Sequence, residues 1–368
     1  MEETTLHYTI ALTLIEGIGA VHAKQLIAYC GGAEAVFHEK ASALRKIPGI
    51  GPKLASAVSG QQVLAQAEEE LAFMNRNGIT ACTYLDASYP QLLKQCDDGP
   101  LVLFVKGNLP TTRGPVIAVV GTRQASGYGR ACCQDLIQDL APYGATIVSG
   151  LAYGIDICAH REAIKAQMPT IAVLAHGLDQ LYPKAHQKAA REMQELGGLM
   201  TEFRSGTNPD REHFPRRNRI VAGMADAVVV IQSRKKGGAM ITANIANSYH
   251  RDVFAFPGKV DDPLAQGCHH LIKTHRAALI GGAQDLVYAM GWEKQAAAPV
   301  EVPSAVATAA LKPQEKVVVH AFANNQPVSV DQLCQDSGLP MNEVTAALLQ
   351  LEFSGVVRSL PGKQYTLC

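Results

Sequence analysis

Short runs of apolar residues recur through the middle of the chain: Val116–Val120, Ala145–Ser149, Thr170–Ala175, Leu199–Glu202, Ala227–Ile231 and Val253–Phe256. Segments of helical length separate them. Strands this apolar are buried on both faces, which demands helices above and below the sheet. Strand and helix in alternation therefore predict a parallel, doubly wound sheet with right-handed crossovers, running from Val116 to Trp292.

This is a Rossmann-like α/β fold, and it tells where to look for chemistry: beyond the carboxyl ends of the strands. The first strand ends in Gly121, Thr122 and Arg123, followed by a further glycine-rich turn, which places a close-approach glycine, a hydroxyl and a cation at a helix start. The second ends in Ser149 and Gly150 with Gly154 just beyond, and the third reaches Gly177, with Tyr182 and Pro183 after it. After the fifth, Lys236, Gly237 and Gly238 open a helix that carries Thr242. Several phosphate cradles share one edge of the sheet.

Between the fourth and fifth strands lies His-Phe-Pro-Arg-Arg-Asn-Arg, residues 213–219. Phe214 can stack on a base. Arg211, Arg216, Arg217 and Arg219, with Asn218 among them, can bind the accompanying phosphates, because guanidinium grips phosphate bidentately. The chain has 33 basic and 33 acidic residues, so any nucleic-acid surface has to be this local concentration and not a global charge. The ligand implied is single-stranded nucleic acid. One of Arg217 and Arg219 has an alternative reading as a buried partner of Asp156 or Glu202.

No turn matches the dinucleotide fingerprint G-x-G-x-x-G or the P-loop, so no nucleotide cofactor is expected. None of the nine cysteines forms paired zinc knuckles, and His269, His270 and His275 read as surface histidines rather than metal ligands. No apolar run approaches the roughly 20 residues that span a bilayer, and Met1-Glu2-Glu3 lacks a basic leader. A cytoplasmic protein without membrane contact is expected.

The stretches VVGTRQASGYG, SGLAYGIDICAH, GLDQLYP, HFPRRNRIVAG, GGAMITA and VFAFPG cover most of residues 116–258. In that order they resemble the DprA/Smf DNA-processing family of bacteria. The resemblance implies binding of single-stranded DNA, loading of the RecA recombinase onto it in natural transformation and recombination, and a homodimer. It assigns Arg123 to the DNA backbone, Phe214 to a base and Arg211 to a further cation. Three departures stand out: His186 where the family usually has asparagine, Gly237-Gly238-Ala239 where hydroxyls are usual, and His269 or His270 where asparagine is expected.

Phosphoribohydrolases of similar fold use a carboxylate in the comparable late turn, and Ala239–Tyr249 contains none, so a binder is expected and not an enzyme. Asp156 and His160, four apart at a helix start, are the one acid–base pair to set against that reading. A nucleotide-binding or nucleotide-hydrolysing protein and a pure interaction scaffold remain as alternatives.

Three flanking regions complete the chain. Residues 1–75 read as helical and contain an internal repeat, Ile15-Glu16-Gly17-Ile18-Gly19 and Ile47-Pro48-Gly49-Ile50-Gly51, which resembles tandem helix-hairpin-helix motifs able either to meet phosphates or to serve as scaffold. Residues 76–110 read as a connecting segment before the Rossmann-like domain, 111–292. A charge-poor linker, 293–312, leads to a tail, 313–368, with winged-helix order. Its third helix lacks Lys and Arg, so the tail reads as a protein-docking module.

Overall fold

The computed structural model describes residues 3–60, 63–109, 114–294, 312–322, 328–353, 356–360 and 364–367. The chain divides into two compact units, Met1–Lys294 and Gln295–Cys368. The linker expected over 293–312 lies almost wholly outside the described residues.

The larger unit is built on a nine-stranded sheet. Its strands are β1 (Thr80–Thr83), β2 (Val102–Gly107), β3 (Val116–Val120), β4 (Thr146–Ser149), β5 (Thr170–Val173), β6 (Gly198–Thr201), β7 (Ala227–Val230), β8 (Asp252–Ala255) and β9 (Ala278–Leu279). The spatial order is β1-β2-β6-β5-β4-β3-β7-β8-β9, parallel from β6 to β9. From β3 the chain winds outward first through β4, β5 and β6, then returns to the other side of β3 as β7. The switch point therefore lies between β3 and β7, where such sheets open a crevice.

Side-chain alternation accounts for the two faces. Ala118, Val120, Val148, Val228 and Val230 join the core that contains Ile220, Val221, Ala239 and Ala243 of helices His213–Met224 and Gly238–Ser248. Their neighbours Ile117, Val119, Ile147 and Val229 join Leu136, Ile137, Ile155 and Ala159 of helices Gly127–Leu140 and Ile155–Lys165. Each fully buried aliphatic side chain stabilises the fold by roughly 1.5–3 kcal/mol, so the sheet is held from both sides.

Residues 76–110 are more than a connection. They supply β1 and β2, and β2 pairs antiparallel with β6 through Phe104↔Thr201 to Gly107↔Gly198. Leu101, Val102 and Phe104 also join the core of the N-terminal helices, so that region and the sheet are continuous. Within it the two repeats meet: a Cβ at Gly17 would touch Leu54, and one at Gly49 would touch His22, the position equivalent to Leu54. Both glycines need positive φ, +84° and +81°. Lys24, a cation beside the first repeat, donates to Cys96 O and Asp97 O at 3.2 and 3.1 Å, and so serves the interior of the unit.

The smaller unit has helices Pro313–His320, Val330–Ser337 and Met341–Phe353 and a sheet of β10 (Val328–Ser329), β11 (Val357–Leu360) and β12 (Gln364–Leu367). Its order is β10-β12-β11, around Val318, Phe322, Leu333, Val344, Leu348 and Leu351. Helix Met341–Phe353 carries no basic residue. No helix among the described residues is long and apolar enough to cross a membrane.

One long-range anchor joins the N-terminal helices to the segment after β6. Glu70, buried in helix Leu64–Asn77, accepts from Ser205 N at 3.0 and 3.1 Å through its two oxygens, and Oε2 also accepts the Ser205 hydroxyl. Charge-assisted bonds at a buried site are costly to lose. Glu70→Ala should lower unfolding free energy by about 1–3 kcal/mol in urea denaturation; a change within about 0.5 kcal/mol would show the anchor to be idle.

Candidate nucleic-acid interface

At the switch point the backbone of β3 crosses to β7: Thr122 N donates to Gln232 O at 2.7 Å. The Gln232 side chain then fastens the next helix. Its Oε1 accepts from Ser126 N and Ser126 Oγ, both at 3.1 Å, while Ser126 Oγ caps helix Gly127–Leu140 by accepting Gly129 N at 3.1 Å. A Cβ at Gly129 would collide with Gln232 Oε1, and one at Gly121 would collide with Ile155. Gln232 escapes a motif-based reading; its one signal is a polar residue closing an apolar strand at the sheet's carboxyl edge.

The cleft so framed measures about 260 Å³. Gly121, Thr122 and Arg123 form one wall, Lys236, Gly237, Gly238 and Thr242 the other, and Phe214, Arg217, Asn218 and Asp156 complete it. Helix Gly238–Ser248 begins here with Gly237 as N-cap and no side-chain cap, so its first N–H groups are left for an anion. Arg123, Arg234 and Lys236 are exposed around the opening. The hydroxyls that the Gly237-Gly238-Ala239 run lacks are not replaced by Ser233, whose Oγ donates to Arg234 O at 2.9 Å, and backbone amides carry the cradle.

Helical phase sorts the arginine run. Phe214, Arg217, Asn218 and Val221, spaced three and four apart, line the cleft. Arg123 lies over the Phe214 ring, its guanidinium carbon 5.6 Å from the centroid. Arg211 lines an adjoining pocket of about 410 Å³ that shares Arg123, Phe214, Asn218 and Gly238 with the cleft. Arg216 is exposed outside both, stacked on Phe203 at 5.2 Å.

Two arginines turn inward. Arg219 pairs with Glu202 and donates to Asp98 O, away from the cleft, so its expected role in binding DNA is replaced by the structural one. Arg217 is buried beneath the cleft floor, where it donates to Gly150 O at 2.7 Å, to Val173 O, and to Asn218 Oδ1 at 3.3 Å. Burial lowers its pKa to about 10 despite the opposing pull of Asp156, which leaves it charged at neutral pH. Burial likewise raises the carboxyl of Asp156 above the usual range, with Arg217 and the surrounding hydrogen bonds opposing.

The remaining expected contacts are framework. Ser149 is fully buried and its Oγ donates to Val119 O at 2.6 Å, so it ties β4 to β3 instead of reaching a ligand. Gly150 has no Cβ because the Arg217 guanidinium occupies that space. Gly154, at φ +81°, lets the Thr122–Arg123 backbone pass, and Gly177 N donates to Thr207 O at 3.1 Å. Of the residues that depart from the family pattern, His186 donates to Leu151 O at 2.8 Å, where Leu151 holds φ 60°, and His269 Nε2 lies 3.0 Å from Gly258 O.

The Asp156–His160 pair does not assemble. His160 is fully buried, with Nδ1 2.7 Å from Thr170 Oγ1, and burial, aided by Arg217 and His186, depresses its pKa to about 3. A histidine with a lowered folded pKa leaves the unfolded state holding the extra proton, so stability falls as pH drops from about 6.5 towards about 3. His160→Gln should flatten that part of the stability–pH curve in urea titrations; an unchanged slope would place its origin elsewhere.

Comparison with known proteins identifies the family. A family model described as DNA recombination-mediator protein A matches residues 66–291, and one described as the DprA winged helix domain matches residues 302–363. Protein Smf of Synechocystis is 31% identical, covering 97% of this chain and 98% of its own. The crystal structure of DNA processing protein A from Streptococcus pneumoniae superposes with a TM-score of 0.68 at 34% identity, over 78% of this chain and 98% of that one. A structure from Helicobacter pylori, described as showing the single-stranded DNA binding mode of its DNA processing protein A, reaches 0.53 at 27% identity over 58% and 97%. A Rossmann-like core and a winged-helix tail, matched along their lengths, place this chain in the DprA/Smf family of DNA-processing proteins.

Proposed function

We propose that this protein binds single-stranded DNA along the carboxyl rim of its sheet and passes the strand to a RecA recombinase. The observation that carries the first part is the Arg123 guanidinium on the Phe214 ring opposite the uncapped start of helix Gly238–Ser248. Cation, ring and free amides on one rim suit a base beside its phosphate. The DNA-binding mode named for the Helicobacter pylori relative and the recombination-mediator description of the family support the reading.

We read the cleft as a binding site and not a catalytic one. Among the described residues Asp156 is the one carboxylate on its lining, where its Oδ2 accepts Ala152 N at 3.3 Å, and no histidine among them shares that lining. Proton transfer needs an acid or base within reach of substrate, and buried Asp156 is engaged with the framework. The free thiols, Cys82, Cys133 and Cys268 among them, suit a reducing cytoplasm.

Contact with Z phosphates of a single strand gives a log–log salt slope of about −0.7Z. Arg123→Ala should make that slope shallower by about 0.7 for each phosphate the side chain no longer neutralises. Phe214→Ala should weaken binding by about 1–3 kcal/mol at nearly constant slope. Fluorescence anisotropy across salt measures both; an unaltered curve for both variants would rule out the rim.

The homodimer is proposed on the outer edge of the sheet, within the stretch Leu264–Ile280. There β9 ends the sheet with one open side, and Leu279 is 55% exposed. An open strand edge pairs readily with another chain. Leu279→Asp should convert the dimer to monomer in sedimentation velocity, and a persistent dimer would move the interface elsewhere.

A further inference from the structure

The pocket beside the cleft has a wall that neither the arginine run nor the glycine turns foretold. Tyr182 faces it together with Phe214, Pro209, Pro215 and Ile241. The Tyr182 and Phe214 ring centroids are 6.2 Å apart with planes at 60°, so the rings meet as a corner. They stand too close to sandwich a third ring, but a flat ligand can lie on one and turn its edge to the other. One face of Phe214 is covered by Arg123, and Tyr182 is 46% exposed.

The corner is built and not incidental. Tyr182 N donates to His176 Nε2 at 3.1 Å, and His176 Nδ1 donates to Gly177 O at 2.8 Å. His176 is buried, and this pair of bonds sets its tautomer, so the backbone beneath Tyr182 is fixed. Arg211 and Pro209 belong to the segment that Asp179 holds through Gly206 N at 2.9 Å and Gln180 holds through Thr207 O at 2.9 Å. The turn that carries Tyr182 and the segment that carries Arg211 are thus tied to each other around one space.

The polar side chains of that space mostly give protons. Arg123 and Arg211 can only donate. Asn218 adds two donors on Nδ2, while its Oδ1, which accepts Arg217 Nε, keeps one lone pair. The Tyr182 hydroxyl and the Asn218 amide can act either way, so donors outnumber acceptors around the space. A base that presents carbonyl oxygens meets such a lining better than one that presents an amino group.

We infer that Tyr182 and Phe214 form a corner that takes one nucleobase of the bound strand, with thymine preferred to adenine. This rests on the rim reading proposed above. Stacking supplies the affinity, and the donor lining supplies the preference for carbonyl-bearing bases.

The test compares oligothymidylate with a sugar-phosphate chain of equal length that is abasic throughout. Tyr182→Ala should weaken oligothymidylate binding by roughly five- to a hundredfold and leave the abasic chain unaffected. Tyr182→Phe, which keeps the ring, should restore most of the affinity, and circular dichroism checks that each variant folds. Loss on both chains alike, or on neither, overturns the corner. If Arg123→Ala reduces binding while Tyr182→Ala does nothing, the rim stands and the corner falls. If Tyr182→Ala acts selectively while Arg123→Ala has no effect, the corner stands without the rim. A single thymine set in an abasic chain should bind more tightly than a single adenine; equal affinity overturns the donor lining.

Discussion

A buried guanidinium sets the geometry of this site. Arg217 reaches from helix His213–Met224 to the ends of β4 and β5, where it bonds Gly150 O and Val173 O. A charge under a cleft floor costs several kcal/mol unless its N–H groups are satisfied, so the helix is held where they are. Gly150 yields the space, Asp156 favours the charged form of the guanidinium, and Asn218 accepts Nε. Arg219 fixes the same helix from another side, through Glu202 and Asp98.

With the helix pinned from within, its outward side chains are placed for a ligand. Phe214 comes under Arg123, and Arg211 comes beside the same pocket. The opposite wall is the start of helix Gly238–Ser248, where no side chain caps the first N–H groups. The proposed binding mode draws on charge and stacking, both indifferent to most of a strand's sequence, with the inferred aromatic corner adding a modest preference at one position.

Much of the sheet was legible in the sequence because a strand buried on both faces leaves an unbroken apolar run. The expected strands over 116–120, 170–175 and 227–231 are observed at 116–120, 170–173 and 227–230. The pairing of β2 with β6 was not legible, since Phe104 and Thr201 meet across most of the domain and nothing local records it. The same holds for Glu70 and Ser205, which are 135 residues apart. The arginine run showed its charge but not its phase: three guanidiniums look alike until the helix turns one to the cleft floor, one to Glu202 and one onto Phe203, while Arg211, ahead of the helix, lines the adjoining pocket. The glycine turns do permit close approach, of Ile155 at Gly121 and of Arg217 at Gly150.

One rim of the sheet is proposed to receive the strand. Amide hydrogen exchange on the full-length protein, with and without saturating oligothymidylate, tests it most directly. Binding at the rim should protect 121–126, 211–218 and 236–242 and leave the glycine turns at 17–19 and 49–51 and the helix Met341–Phe353 unchanged. Protection confined to those turns or to that helix, with the rim exchanging as before, would contradict it.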